Sequence, residues 1–513
     1  LLANRLTTTV YTSNTDDPDN YYLTFKMNKR RNKMSTFKTA TQNTQTEART
    51  ANGMKTYDSS LNACVDLFFA IGASRGKNIT VAFERAFQED AELAAKILLW
   101  SRDIRGGAGE RQIFRDMLIN IEANHKEFLY PIMLAVPELG RWDDLLVLKT
   151  DAARAVAFDM IGAALGNEDG LAAKWMPRKG ENAVALRKHL AKQDPKWTPK
   201  FYRKTLVGLT EVVETKMCAK QWDKINFSHI PSVASARYQT AFHRNVPEGY
   251  QEYKDNLEKN DGSAKVNAGA VYPYDVLKPL IGYGYGADAN TTNAAVIKAQ
   301  WDALPNYVGD EAILPMVDVS GSMGCSAAGN LTCMDVAISL GLYLADKNTG
   351  AFSDMFLTFS ENSKIEVLGG DIIAKVRQMQ TANWGFNTSL HSAFNAVLKV
   401  AVDNKVNEDA MPGYILILSD MQFDHCSEND DSAMQMMARK YKEAGFKLPK
   451  IVFWNLNARQ DSTQAPVKFN KNGTALVSGF SPAIMKSILA AKNFTPKDIM
   501  LETIDVPRYD IFQ

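Results

Sequence analysis

Asp318-Val319-Ser320-Gly321-Ser322 directly follows the apolar run Ile313-Leu314-Pro315-Met316-Val317. A carboxylate and two hydroxyls thus leave the end of a buried strand within a few residues, and Gly321 lets the loop turn sharply. Hard divalent cations take oxygen ligands of this kind. A second apolar run, Tyr414-Ile415-Leu416-Ile417-Leu418-Ser419, ends in Asp420. If the two strands are neighbours, both carboxylates share one sheet edge. A third loop, Trp384-Gly385-Phe386-Asn387-Thr388-Ser389, precedes a helix starting near Leu390 and offers the Thr388 hydroxyl. Asp318, Ser320, Ser322, Thr388 and Asp420 together form a donor set suited to Mg²⁺ or Mn²⁺. Such ions retain water or take a carboxylate or phosphate oxygen from a partner. This is chemistry for binding. Ser322 and Thr388 also read as helix N-caps, which is compatible with ligation.

Other reactive residues point to no catalysis, and the chain reads as a non-enzyme. His425-Cys426, after Asp424, reads as a solvated loop pair rather than a thiol nucleophile. No phosphate loop of the GxxxxGK[ST] type is present. Gly282-Tyr283-Gly284-Tyr285-Gly286 lacks the preceding strand and the spacing of a dinucleotide site, so it reads as a loop or hinge and no nucleotide cofactor is expected. Five cysteines (Cys64, Cys218, Cys325, Cys333, Cys426) are odd in number and free of CxxC spacing, which fits a reducing compartment. Zinc held by Cys325, Cys333 and Cys426 and idle buried thiols are both open readings. Asn387-Thr388-Ser389 is a glycosylation acceptor pattern, but a glycan there would block the metal loop. Both observations predict a cytoplasmic protein.

The elements that must position the metal loops alternate. From Glu311 onward, strands are predicted over 312–317, 354–359, 364–367, 413–418, 449–453 and 474–477. Helices are predicted between them, over 332–346, 371–378, 389–403, 429–444 and 481–492. Alternating β and α elements imply a mostly parallel sheet wrapped by helices. Ligands of such sheets sit at the carboxyl ends of the strands, where Asp318 and Asp420 fall. Before residue 260 the periodicity is helical, as in Leu61, Val65, Phe68 and Phe69. Segments 80–101, 109–123, 126–136, 141–149, 151–166, 182–192, 199–218 and 234–258 read as successive antiparallel helices, stacked in pairs as in an α-solenoid, with no fixed-period sequence repeat.

The division is then a disordered leader over 1–60, a helical module over 61–260, a transition over 261–310, an α/β domain over 311–495 and a tail over 496–513. Within the leader, Lys29-Arg30-Arg31-Asn32-Lys33 precedes Met34. One reading is a natural start at Met34 behind a translated ribosome-binding sequence, which implies a phage or bacterial origin and, for a phage, the host cytoplasm. The other is a disordered basic tail. No run approaches the roughly 18–20 apolar residues of a membrane span, and the N-terminus lacks the pattern of a secretory signal.

In the helical half, Arg102-Asp103-Ile104-Arg105-Gly106-Gly107-Ala108-Gly109-Glu110-Arg111 reads as a corner. A helix ends at Arg105, Gly106 and Gly107 permit left-handed backbone, and a helix starts near Glu110. The charges of Arg102, Asp103, Arg105, Glu110 and Arg111 are placed to cross-pair.

The chain as a whole carries a net charge of +1, but residues 171–245 hold 15 Lys and Arg against 5 acids, a net of +10. Lys174, Arg178, Lys179, Arg187, Lys188, Lys196, Lys200, Arg203, Lys204 and Lys220 are candidate phosphate contacts, and Trp222 a candidate stacking ring. Trp175, Trp197, Phe201, Tyr202, Phe227 and Tyr238 interleave with them. Clustered positive charge with stackable rings is the footprint of RNA binding. A solvated helix face over core aromatics is the other reading.

Asp318-Val319-Ser320-Gly321-Ser322-Met323, with Thr388 and Asp420, resembles the metal-ion-dependent adhesion site (MIDAS) of von Willebrand factor A domains. That resemblance implies a Rossmann-like α/β fold with a magnesium site facing a partner. The Arg102–Arg111 block and Val136-Pro137-Glu138-Leu139-Gly140-Arg141-Trp142-Asp143-Asp144-Leu145 resemble the TROVE module of the Ro autoantigen family, a ring of HEAT-like helical repeats followed by a von Willebrand A domain. Ala219-Lys220-Gln221-Trp222-Asp223-Lys224-Ile225-Asn226-Phe227, Ser419-Asp420-Met421-Gln422-Phe423-Asp424 and Val477-Ser478-Gly479-Phe480-Ser481 resemble more closely a plant and phage group of the same layout, whose activity is not settled. The resemblance spans roughly residues 60–490. Ro proteins bind small structured RNAs and ends of misfolded RNAs through the basic helical ring. The resemblance thus implies an RNA-binding protein with a metal-dependent partner site. A metal-dependent protein-interaction scaffold without RNA binding is the alternative, and a metal-dependent nuclease using Asp318 and Asp420 a third.

Overall fold

The computed structural model describes residues 47–512, apart from 211, 260, 268–270, 282–293, 383–387, 426–431 and 459–462. The readings placed on 1–33 and Met34, on Gly282–Gly286, on Trp384–Asn387 and on Cys426 lie outside the described residues. All described residues fall in one compact unit, Thr46–Gln513.

The first half is helical: α1 (Ala63–Ile71), α2 (Thr80–Glu89), α3 (Ala91–Arg102), α4 (Arg111–Asn124), α5 (Lys126–Leu139), α6 (Asp151–Gly166), α7 (Gly170–Trp175), α8 (Glu181–Gln193), α9 (Pro199–Leu209), α10 (Val213–Cys218), α11 (Ser232–Asn245) and α12 (Pro247–Lys259), with α13 (Pro273–Leu277) and α14 (Ala294–Asp302) in the transition. Many successive helices pack on one another, as α1 with α2, α2 with α3 and α4 with α5. Three segments read as single helices are each two. The predicted helix over 80–101 breaks at Asp90, whose extended backbone (φ −154°) ends α2. The Asp90 carboxylate then caps α3 by accepting the Leu93 N–H at 3.1 Å. The segment 234–258 breaks at Val246, before Pro247, which lacks the N–H an uninterrupted helix needs. The segment 199–218 breaks at Thr210, again in extended backbone.

The second half is a sheet covered by helices. Its strands are β3 (Ile313–Asp318), β6 (Met355–Phe359), β7 (Ile365–Val367), β8 (Tyr414–Ser419), β9 (Lys450–Asn455) and β10 (Thr474–Ser478), in the order β10-β9-β8-β3-β6-β7. Every pairing is parallel except β6 with β7. A short hairpin, β4 (Ser326–Ala328) with β5 (Leu331–Thr332), follows the end of β3. Helices α15 (Cys333–Asp346), α16 (Ile372–Thr381), α17 (Leu390–Asp403) and α18 (Ala433–Glu443) alternate with the strands. All six residues of β3 are buried, as a strand covered on both faces requires.

Three segments tie the halves together. Helix α1 is apolar nearly all round, with Val65, Leu67, Phe68, Phe69 and Ile71 buried, which is the pattern of a fully enclosed helix. It packs on edge strand β10, whose Ser478 hydroxyl donates to Phe68 O at 2.8 Å, while Asn455 Nδ2 of neighbouring β9 donates to Phe69 O at 3.2 Å. Residues 47–57, read as part of a disordered leader, form a hairpin of β1 (Glu47–Arg49) and β2 (Lys55–Tyr57). Its polar sequence gives no core pattern because it is held by backbone bonds, Tyr57 and Ala465 exchanging N–H···O bonds of 3.1 and 2.9 Å. Beyond α19 (Met485–Ala490), residues read as a tail form α20 (Pro496–Ile504), which packs on β10, α1 and α3. No described helix is long and apolar enough to cross a membrane.

Candidate functional site

Neighbouring strands β3 and β8 run parallel with Val317 opposite Leu418, so Asp318 and Asp420 leave the same end of the sheet side by side. The strand order steps outward from this pair in both directions, which makes their carboxyl ends the switch point where ligands of doubly wound sheets bind. Asp318 is fully buried. Its Oδ1 accepts the Ser320 N–H at 2.9 Å and its Oδ2 the Ser419 hydroxyl at 2.5 Å. Ser320 Oγ and Ser322 Oγ are 3.0 Å apart. Asp420 is buried, and its Oδ1 accepts the Gln422 N–H at 3.2 Å. Burial first, and then the Asp420 charge, pushes the Asp318 carboxyl up to about 6 against the pull of its hydrogen bonds.

Thr388 belongs to an adjoining cluster. Its N–H donates to Asp424 Oδ2 at 2.9 Å. Its hydroxyl lies 2.8 Å from Gln422 O and 2.9 Å from Asp424 Oδ1, and accepts from Asn52 Nδ2 at 3.1 Å. The structure therefore gathers Asp318, Ser320 and Ser322, sets the Asp420 charge beside them, and bonds Thr388 to the far side of the same 419–424 loop. Neither expected N-cap is the one found: Ser389 caps α17, and Ser320 precedes the 3₁₀ turn Gly321–Gly324 that contains Ser322.

Asn52 was invisible as a site residue because its segment reads as leader. Thr50 donates to Phe423 O at 2.7 Å, Asn52 Nδ2 to Gln422 O at 2.8 Å, and the His425 N–H to Asn52 O at 3.1 Å, so the β1–β2 turn braces the loop that follows β8. Asp424 is marked in the sequence as a second acid four residues beyond Asp420. Among the described residues no three His, Cys, Asp or Glu side chains group as a metal site. Asp318, Ser320, Ser322 and Asp420 bring together oxygen donors only, the type a hard cation would require. Two adjacent buried carboxylates repel each other, and hydroxyls rather than further acids supply the remaining oxygens.

The basic residues lie mainly on α8, α9 and their flanks. Arg178, Lys179, Lys188, Lys196, Lys200, Arg203, Lys204 and Lys220 are exposed, while Lys174, Arg187 and Trp222 are half-buried. On α9 the i, i+3, i+4 spacing puts Lys200, Arg203 and Lys204 on one face, opposite buried Tyr202 and Leu206. Lys196 pairs with Asp194 at 2.7 Å. The aromatics are less available than their spacing suggests. Trp197 and Tyr202 are core residues, and Trp222 packs against a small second core built around Phe242 and Tyr250. Phe201 is exposed, with Lys196 Nζ 5.9 Å from its ring centre.

Arg102, Asp103 and Glu110 form ion pairs, but with distant partners rather than across the corner. Arg102 Nε donates to Asp144 Oδ2 at 2.8 Å. Asp103 accepts Arg508 Nη2 at 3.0 Å and the Tyr509 hydroxyl at 3.0 Å. Glu110 pairs with Arg75 at 2.6 Å, and burial pushes its carboxyl up to about 7 against that pull. Arg105 Nη1 donates to Glu138 O at 3.2 Å. Arg111 is exposed, and burial of its stem with the nearby Arg141 and Arg115 charges pulls its guanidinium below the usual range. Helix α3 ends at Arg102, three residues earlier than expected. The left-handed residue is Gly109 (φ +70°) rather than Gly106 or Gly107. Gly107 is needed for a different reason: a Cβ there would lie 1.8 Å from Trp100 O.

A helical half joined to a doubly wound α/β half, with paired carboxylates at its switch point, defines the class. Residues 50–131 and 169–314 match a family described as a domain of unknown function, DUF2828, and residues 312–506 match a second, DUF7788. Uncharacterized protein L728 of Acanthamoeba polyphaga mimivirus is 30% identical over 514 aligned positions, spanning 89% of this chain and 87% of the viral one. The chain belongs to the family of that viral protein. Among solved structures, the Ro (RSR) protein of Deinococcus radiodurans is similar at 15% identity over 86% of this chain and 99% of that one, with a TM-score of 0.43.

Proposed function

We propose that this protein binds RNA, structured or single-stranded non-coding, through the basic face of α8 and α9. The observation that carries this reading is the exposure of Arg178, Lys179, Lys188, Lys196, Lys200, Arg203 and Lys204 within a stretch of net charge +10. The likeness of the Arg102–Arg111 block to the TROVE module of Ro proteins supports it, with the helices read as HEAT-like repeats. Clustered cations track phosphates regardless of base sequence, so affinity falls steeply with salt. The test is titration of the purified full chain into structured and single-stranded RNAs across a salt series. Tight, salt-sensitive binding is expected. The burial of Trp197 and Tyr202 favours the competing scaffold reading, because it removes two stacking rings.

We read the α/β half as a von Willebrand A-type domain in which Asp318, Ser320, Ser322, Thr388 and Asp420 hold Mg²⁺ or Mn²⁺. When bound, the ion offers a coordination position to a partner's carboxylate or phosphate oxygen. The residues themselves orient one another: Ser419 and the Ser320 N–H hold Asp318, and Asp424 with Asn52 holds Thr388. Metal binding to the folded state alone stabilises it by about 2.7 kcal/mol at a hundredfold excess over Kd. The melting temperature is therefore expected to rise with Mg²⁺ or Mn²⁺, and Asp318→Ala to abolish the rise. An equal rise in the variant would refute the assignment.

The protein is proposed not to be an enzyme. Two-metal nucleases hold their ions about 4 Å apart with several carboxylates, whereas this edge offers Asp318 and Asp420 with neutral hydroxyls. RNA and DNA are expected to survive incubation with either ion, and cleavage lost in Asp420→Ala would restore the nuclease reading. Its compartment in this reading is the cytoplasm, that of the host if phage-encoded.

A further inference from the structure

Cys325 and Cys333 flank the β4–β5 hairpin, whose Ser326 and Thr332 lie opposite each other. The Cys333 N–H donates to Cys325 O at 3.0 Å, so the two residues close the base of the hairpin. Their thiols meet there. The Cys325 thiol donates to Cys333 Sγ at 3.3 Å, and the Cys333 thiol donates to Leu456 O at 3.3 Å. A disulfide has an S–S length of about 2.05 Å, so the sulfurs need to approach by roughly a further 1.2 Å.

The two thiols differ in access and surroundings. Cys325 is partly exposed and Cys333 is buried. Asn457 Nδ2 donates to Cys325 Sγ at 3.1 Å, and the Lys77 ammonium is bonded to Asn457 Oδ1 and Ala458 O behind it. A reachable thiol, with the Asn457 amide against it and the Lys77 ammonium behind, thus stands against a sheltered one.

We propose that Cys325 and Cys333 are a redox pair that hydrogen peroxide oxidises to an intramolecular disulfide, with Cys325 attacking and Cys333 resolving. The Cys325 thiolate attacks one peroxide oxygen. The O–O bond breaks, Cys325 becomes a sulfenic acid, and the departing hydroxide takes up the proton the thiol had lost, as water. Cys333 sulfur then attacks the Cys325 sulfur and displaces hydroxide, which leaves as a second water with the Cys333 proton. Two thiols lose two electrons, and one peroxide becomes two waters. The bond locks the turn that carries Ser322, because the Cys325 N–H donates to Ser322 O at 3.3 Å.

The test uses the full chain, reduced, exposed to hydrogen peroxide under native conditions, then alkylated, digested and read by peptide mass spectrometry. A Cys325–Cys333 cross-link lacking two hydrogens and reversed by dithiothreitol is expected. Without peroxide, native alkylation is expected at Cys325 more than about tenfold faster than at Cys333. Cys333→Ser is expected to stop at a dimedone-reactive sulfenic acid on Cys325. Exposed Cys218 reports unselective oxidation. Free thiols at both positions after peroxide, or cross-linking only through Cys218 between chains, would overturn the proposal. The wild-type cross-link needs no variant to fold.

Discussion

Replacing Asp144 with alanine is expected to destabilise the protein by roughly 3–5 kcal/mol, the cost of breaking a buried ion pair from one side. Asp144 is fully buried and serves three donors. Its Oδ2 accepts Arg102 Nε at 2.8 Å and the Arg141 N–H at 2.9 Å, and its Oδ1 accepts Arg115 Nε at 2.6 Å. Arg102 is only 3% exposed, so the truncation leaves a buried guanidinium without the carboxylate it is bonded to. Arg115 is partly exposed and keeps Asp143 at 2.8 Å, so most of the loss falls on Arg102. The measurement is the urea midpoint at unchanged slope, which isolates stability from a change in exposed surface. Lys188→Ala, on an exposed helix position, serves as the comparison and is expected within about 0.5 kcal/mol of wild type. A loss below about 1 kcal/mol for Asp144→Ala would mean that solvent reaches Arg102 and that the corner is not enclosed.

Replacing Lys196, Lys200, Arg203 and Lys204 together with alanine is expected to flatten the salt dependence of RNA binding by up to about 3 units of log–log slope. Each phosphate contact on a single strand contributes about 0.7. Over a fourfold rise in salt, wild type should then weaken about 50-fold more than the variant. Lys196 already pairs with Asp194, which makes the figure an upper one. Tyr202 and Leu206, on the opposite side of α9, stay in place, so the fold should hold. Asp318→Ala and removal of metal should leave the slope unchanged, since that cluster sits at the sheet edge. Micromolar or weaker binding to every RNA at low salt, with the variant behaving as wild type, would transfer the basic face to mere solvation and favour the scaffold.

Much of this molecule is legible along the chain. Strand ends at Asp318 and Ser419, the alternation of strands and helices after Glu311, and the basic stretch from Lys174 to Lys204 are local properties. Apolar runs and helical spacing report which way side chains face, and charge needs only counting. Boundaries fail where one polar residue does two jobs. Asp90 ends α2 and caps α3 within an unbroken apolar period, so periodicity alone runs the helices together.

What tertiary structure decided was which distant residues meet. That β3 and β8 are neighbours, and hence that Asp318 and Asp420 face one space, follows from strand order, which no local pattern encodes. Asp103 finds Arg508 some four hundred positions away, where spacing had suggested partners within the corner. Asn52 reaches Thr388 from a hairpin held by backbone bonds, and backbone groups are the same in every residue, so composition cannot announce it. Local pattern along the chain sets the elements and the kinds of chemistry they carry. Their partners were settled only by packing, because long-range contacts depend on how buried faces fit together rather than on the order of residues within any one element.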